Sequence, residues 1–305
     1  MSTSRFHPDL RRIAAVLPRG VVGPRLLPVM RALQRLGQSS RVRPEIQVVR
    51  LGPVSLRLHR PSTLPAGPGP AVLWIHGGGY VMGDAAQDDG LCAHLASSLG
   101  ALVAAVDYRL APEHPFPLPL HDCHDALVWL ASRKGVDDRR IAIGGASAGG
   151  GLTAALALLA RERGQVRPVF QLLSYPMLDD RTALKRSPHE RDVRLWNTSS
   201  NRFGWRSYLG TDPGGEGVSG LAAPARAEDL SGLPPAWVGV GSLDLFAAED
   251  VAYADRLRAA GVPCEVLLVE GAFHGFDLVR PEAPVSRSFR AAQVDALARA
   301  FVDQN

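Results

Sequence analysis

A chain of 305 residues with 46% hydrophobic and 21% charged residues lies in the ordinary range for a globular protein, which excludes disordered and fibrous classes. The formal charge is +4, and the basic residues are almost all arginines, clustered no more densely than pairs such as Arg11-Arg12 and Arg139-Arg140. No basic stripe therefore points to nucleic acid.

From the amino terminus, residues 8–37 place Leu10, Ile13, Ala14 and Leu17, then Leu26, Leu27, Met30 and Leu33, at helical spacing broken by Pro18, Gly23 and Pro24. The spacing predicts two short helices. The apolar runs here, such as Ile13 to Leu17, fall short of the roughly 7–15 residues of a secretory signal. No segment approaches the ~20 apolar residues of a membrane helix. Cytoplasmic residence, no stable membrane insertion and at most peripheral membrane contact are the expectations. Residues 46–51 and 54–60 read as a strand pair joined at Gly52-Pro53, followed by a Pro/Gly-rich linker from Pro61 to Pro70. Beyond it come short apolar runs at Ala71–Ile75, Leu102–Asp107, Arg140–Gly144, Val169–Ser174, Ala236–Gly241 and Cys264–Glu270, mostly separated by helical stretches at 86–99, 119–133, 148–163 and 247–260. That alternation predicts a mostly parallel sheet with helices on both faces. Residues 178–231 are polar and too long for an ordinary connection, and read as an insertion near the active site of one catalytic domain.

The chemistry concentrates where strands meet loops. Gly145-Ala146-Ser147-Ala148-Gly149 is G-x-S-x-G at the junction of a buried strand and an Ala/Leu-rich helix, the pattern of a nucleophile on a sharp turn. A helix start also leaves N–H groups, Ala148's included, free to stabilise negative charge. The bland alternative is a glycine-rich packing turn. His76-Gly77-Gly78-Gly79-Tyr80 follows directly on a strand and suits an oxyanion-binding loop. Gly77, Gly79 and Gly83 also mimic a dinucleotide loop, but Met82 occupies the usual third glycine position and the serine elbow goes unexplained. The order Ser, acid, His then selects Asp244 after the strand Ala236–Gly241 and His274 after Cys264–Glu270, ahead of Glu249, Asp250 and Asp277 for the acid and of His189 for the base.

Other clusters carry blander readings. Asp107, Arg109 and Glu113 with neighbouring prolines suit loop fixing. His121, Cys123, His124 and Asp125 read as a solvated helix face without enough ligands for a metal. Cys92, Cys123 and Cys264, odd in number and without CxxC spacing, read as buried thiols. Trp196, Phe203, Trp205 and Tyr208 either wall an acyl pocket or anchor the insertion.

HGGGY at 76–80, DYRLAPEHPFP at 107–117, GASAGG at 145–150, SLDLF around Asp244 and FHGF at 273–276 together resemble the hormone-sensitive-lipase family of esterases, bacterial family IV, over nearly the whole chain. The resemblance implies an α/β-hydrolase fold with an eight-stranded, mostly parallel sheet flanked by helices. It also implies a helical cap built from about 1–44 and about 178–231. Catalytic roles fall to Ser147, Asp244 and His274, oxyanion roles to Gly78, Gly79 and Ala148, and substrate contact to Tyr80, Phe203 and Trp205. No cofactor or metal is implied; the partner is a small-molecule ester, with short acyl chains favoured. Ala146 departs from the aspartate or threonine found in many members, which bears on substrate preference rather than on the reaction. A drug-like or natural-product deacetylase would use the same residues, and a ligand-binding receptor on this fold is opposed by the intact His274. A homodimer through the last edge strand or the helix after it is a further expectation.

Overall fold

The computed structural model describes residues 5–20, 22–38, 46–61, 67–185 and 190–302. His189, residues 62–66 of the expected linker and the end of the first cap segment at 39–44 lie outside the described residues. Eight strands, β1 (Gln47–Leu51), β2 (Val54–His59), β3 (Gly69–Ile75), β4 (Leu102–Asp107), β5 (Val136–Ala146), β6 (Phe170–Ser174), β7 (Ala236–Gly241) and β8 (Cys264–Val269), form one sheet in the order β1-β2-β4-β3-β5-β6-β7-β8. β1 and β2 pair antiparallel, as do β2 and β4, and every other pair is parallel. The chain thus builds the α/β-hydrolase sheet that the resemblance implies.

The helices are α1 (Arg11–Val16), α2 (Leu27–Gln38), α3 (Asp89–Leu99), α4 (Leu118–Ala131), α5 (Ala148–Arg163), α6 (Thr198–Leu209), α7 (Ala247–Ala259), α8 (Phe276–Val279) and α9 (Pro284–Val302). Because strand side chains alternate between faces, Leu73, Ile75, Ile141 and Ile143 pack with α4, α5 and α7 on one side of the sheet. Val72, Trp74, Ala142 and Leu172 pack with α3 and α9 on the other. With both faces covered, the central strands are almost wholly apolar, which is why they read as uninterrupted hydrophobic runs. β1 and β8 are the two edges of the sheet, and Leu268 of β8 is 48% exposed.

Three expectations need correction. β5 begins at Val136 rather than Arg140, because Val136 joins the ladder opposite Gly69 across a register shift. Of the α4 residues read as a solvated face, Asp125 is exposed and His121 half-buried, but His124 is buried, and the neighbouring Asp122 is held by a bidentate bond from Arg109 at 2.6–3.1 Å. Packing of α4 against the sheet and α5, with Arg163 meeting the His124 ring at 2.9 Å, takes these polar groups inside. Cys92 and Cys123 are buried as expected, but Cys264, on the edge strand, is only half-buried.

Candidate active site

Ser147 stands alone at the turn between β5 and α5. Its backbone is at φ 56° and ψ −120°, which a residue with a side chain adopts only where the surroundings enforce it. Here Ser147 N–H donates to Ser174 O at 2.9 Å, and Ser147 O accepts from Met177 and Gly151 N–H, both at 3.0 Å. So tight a turn needs bare backbone on each side. A Cβ on Gly145 would lie 2.4 Å from Gly149 O, and one on Gly149 would lie 2.1 Å from Ile75 O.

β7 and β8 deliver the other two groups to the same edge of the sheet. Asp244 follows β7 and His274 follows β8, and the fold brings them to Ser147 across 97 and 127 residues of sequence. His274 Nδ1 lies 2.8 Å from Asp244 Oδ2, and Nε2 lies 2.9 Å from Ser147 Oγ. A carboxylate oxygen only accepts, so Nδ1–H donates to it and Nε2 is left to accept from the serine hydroxyl. Asp244 Oδ1 takes a further hydrogen bond from Phe246 N–H at 3.0 Å. The imidazole is gripped edge-on by Tyr175 and Phe246, with centroids at 4.9 and 5.3 Å. Ser147 retains 7% and His274 8% exposure, so both are sheltered without being sealed.

The glycine loop after β3 runs beside this turn: a Cβ on Gly77 would sit 2.9 Å from Ala146 O and 3.3 Å from Ser147 Cβ. Gly78 at φ 128° and Gly79 at φ 61° turn the chain, and among the described residues neither N–H is engaged by a backbone partner. Ala148 N–H, at the first position of α5, likewise has no partner within its helix. The loop is braced from below and above. His76, fully buried with its pKa lowered by that burial, stacks on Tyr108 at 4.3 Å. Gly83 N–H donates to Gln34 Oε1 on α2 at 3.0 Å. Arg31, one turn earlier on that helix, donates to Val81 O, Ala111 O and the Glu113 carboxylate at 2.7–3.0 Å.

The 178–231 segment contributes α6, capped by Asn197, which accepts from Ser200 N–H at 2.9 Å, and ended by Gly210 at φ 70°. Gly204 on this helix packs so closely that a Cβ there would lie 2.8 Å from Gly79 O, and the Trp196 ring lies against Gly79 itself. Tyr80 and Trp205, expected to contact substrate, are both fully buried. Tyr80 donates its hydroxyl to Met177 O at 3.1 Å and stacks on Tyr208 at 4.0 Å, while Phe203 is only partly buried.

Residues that sequence reasoning missed are Tyr175, Gln34 and Arg31, whose partners lie 49 to 102 positions away. Asp277, weighed as the acid, instead accepts the Tyr175 hydroxyl at 2.8 Å. Glu249 accepts Leu178 and Asp179 N–H at 2.7 and 3.1 Å, and burial pushes its carboxyl up to about 8. Among the described residues no cluster of three or more His, Cys, Asp or Glu stands in a metal-holding arrangement.

A strained serine at a strand-to-helix turn, met by an imidazole and a carboxylate from later strand ends of one mostly parallel sheet, defines the α/β-hydrolase class. The sequence model of the α/β-hydrolase fold family matches residues 72–278. Esterase LipI of Mycobacterium tuberculosis is 38% identical over 245 residues, which cover 77% of this chain and 76% of LipI. Among solved structures, Bacterial Heroin Esterase superposes with a TM-score of 0.88 at 37% identity, covering 99% of each chain. Esterase LipW from Mycobacterium marinum superposes at 0.83 with 33% identity, covering 98% of this chain and 97% of LipW. The chain belongs to the α/β-hydrolase fold family and, within it, to the hormone-sensitive-lipase group.

Proposed function

We propose that this carboxylic ester hydrolase cleaves short-chain esters through Ser147, His274 and Asp244 by way of an acyl-enzyme. The observation that carries the reading is the continuous hydrogen-bonded line from Ser147 Oγ through the His274 ring to Asp244, at 2.9 and 2.8 Å. His274 Nε2 takes the serine proton as Oγ attacks the ester carbonyl, and the imidazolium that forms is stabilised by Asp244. The amides of Gly78, Gly79 and Ala148 receive the developing oxyanion. Collapse expels the alcohol, protonated by His274, which next activates the water that releases the acid. Trp196 lying on Gly79 favours a small acyl group. Phe203 is the residue of α6 best suited to wall the pocket, with Tyr80 and Trp205 holding it from behind as part of a cap formed by about 1–44 and about 178–231.

A second substrate class, an acetyl ester of a drug-like or natural-product alcohol, is favoured by the likeness to Bacterial Heroin Esterase along 99% of the chain. It uses the same residues and differs in what the cap admits. Hydrolysis of p-nitrophenyl esters from acetyl to lauroyl, by wild type and Ser147→Ala in parallel, tests the core of the reading. Turnover that peaks at short chains and falls by several orders of magnitude in the variant supports it. Turnover that survives the substitution refutes it.

No helix among the described residues is long and apolar enough to cross a membrane. Cytoplasmic residence is the sequence-based reading, tested by fractionation. A homodimer through the β8 edge is supported by that strand's open position and exposed Leu268. Light scattering that shows a monomer at micromolar concentration removes it.

A further inference from the structure

The amino-terminal cap helix is turned the wrong way round for a helix that serves only to cover a core. An amphipathic helix on a globular protein ordinarily buries its apolar stripe and leaves its polar face in water. α2 docks instead largely through polar side chains, Arg31 and Gln34, which bond Val81 O, Ala111 O, Glu113, Gly83 N–H and Asp84. Among the described side chains of α2, Leu27 is the buried apolar residue beside them. Leu26, Val29 and Leu33 point away, at 53%, 54% and 59% exposure. At 3.6 residues per turn these three fall within roughly 60° of one another, one stripe on the outer face. With Val16 of α1, 76% exposed, they are four of the nine large hydrophobic residues exposed among the described residues, all within 18 positions of sequence.

The positive charge of the protein is concentrated in the same stretch of sequence. Residues 1–45 contain nine arginines against Asp9 and Glu45, a net +7, so residues 46–305 carry a net −3. Because the arginines adjoin only at Arg11-Arg12, no basic stripe marks this asymmetry. Arg25, next to Leu26 in sequence, and Arg12 on α1 are exposed.

We propose that α1 and α2 form an interfacial docking surface for an anionic membrane, with Leu26, Val29 and Leu33 set into the acyl boundary and exposed arginines such as Arg12 and Arg25 against the headgroups. A cationic helix with an outward aliphatic stripe is the form that lies in the plane of such an interface. The charge favours this occupant over a second copy of the chain, since a symmetric contact through this surface would set exposed arginines such as Arg12 and Arg25 of one copy against those of the other. The stripe is aliphatic, without the exposed aromatics on which single-stranded nucleic acid stacks. Through Arg31 and Gln34 the helix is bonded directly to the loop that carries Gly78 and Gly79, which puts the docked surface one helix away from the glycine loop.

The test is flotation of the full chain with vesicles of phosphatidylcholine alone, and of phosphatidylcholine with about one third phosphatidylglycerol, at low and high salt. Two variants run beside the wild type, Val29→Gln/Leu33→Gln and Arg12→Gln/Arg25→Gln, all at exposed positions outside the proposed catalytic machinery. The expected result is binding to the anionic vesicles at least tenfold stronger than to the neutral ones. Salt should weaken it, and both variants should reduce it severalfold while p-nitrophenyl acetate hydrolysis and thermal melting stay unchanged. Absence of wild-type binding to the anionic vesicles overturns the proposal, as does binding that the Val29→Gln/Leu33→Gln variant leaves intact. Self-association that this variant abolishes, without vesicle binding, overturns it in favour of a second copy.

Discussion

The hydroxyl of Tyr175 donates to Asp277 Oδ1 at 2.8 Å, and this bond closes a strut that joins the turn bearing Ser147, strand β7 and the loop bearing His274. Tyr175 N–H donates to Gly239 O on β7 at 2.6 Å, its ring stands edge-on to His274, and the residue before it accepts Ser147 N–H. The residue itself is held at φ 38°, in the left-handed region that a tyrosine occupies only when several contacts agree.

Tyr175→Phe keeps the ring against His274 but strands a buried carboxylate oxygen, a loss of about 1–3 kcal/mol in stability. The expected kinetic effect is a fall in kcat with KM nearly constant, because the substitution loosens His274 without touching substrate. Asp277→Asn, whose amide oxygen still accepts the phenol, is milder on both counts. Urea melts and steady-state kinetics on the two variants check the order; a raised KM at unchanged kcat would mean that Tyr175 acts on the pocket instead.

Asp244→Asn tests the acid separately. The amide cannot stabilise the imidazolium, and its N–H₂ favours the wrong imidazole tautomer, so kcat should fall about 10⁴-fold. Packing around Asp244 is preserved, since an Asn oxygen can still accept from Phe246 N–H. A melting temperature near that of wild type together with the kinetic loss is the expected pair of results. A loss of tenfold or less would transfer the acid role to a neighbour such as Asp250.

The sheet was legible because its strands are buried on both faces and so stand out as apolar runs, and the elbow because only glycines fit at Gly145 and Gly149. Asp244 and His274 were legible through chain order, since each follows a recognisable strand. What escaped are the contacts made by ordinary residue types over long separations. Nothing local marks Tyr175 as the partner of Asp277, 102 positions on, or Gln34 as the partner of Gly83. α6 is a different case: Asn197 and Gly210 are a legible start and stop, hidden by the polar composition of the segment around them. The burial of Asp122 and His124 escaped because Arg109 and Arg163 lie on other elements and supply the polar partners in the fold.

Gly204→Ala probes the seat of α6 on the glycine loop. The added Cβ would lie 2.8 Å from Gly79 O and 3.1 Å from the Trp196 ring, so the helix or the loop must shift. Displacement of a catalytic group by about 1 Å can cost on the order of 10²-fold in rate. A fall in kcat of about tenfold or more is therefore expected. Gly215→Ala, where a Cβ would meet nothing within 4 Å, is the control that should leave kcat unchanged. Equal behaviour of the two variants would show that α6 does not position Gly79.

Glu249 ties a buried carboxyl to the stability of the fold. Burial raises it from 4.5 to about 8, against the opposing pull of the hydrogen-bond donors that face it. In the unfolded chain it releases its proton near 4.5, so between about pH 4.5 and 8 the folded protein holds a proton that the unfolded chain has lost. Its contribution to stability is therefore fully present below about 4.5 and is lost as pH rises through about 8. Glu249→Gln retains an oxygen for Leu178 and Asp179 N–H but has no proton to lose. The wild type should lose melting temperature relative to Glu249→Gln as pH rises across that window. Asp88, raised to about 7 by burial, is common to both proteins and cancels in the difference. Parallel melting curves from about pH 5 to 9 would show that the Glu249 carboxyl titrates as an ordinary one and carries no pH-dependent stability.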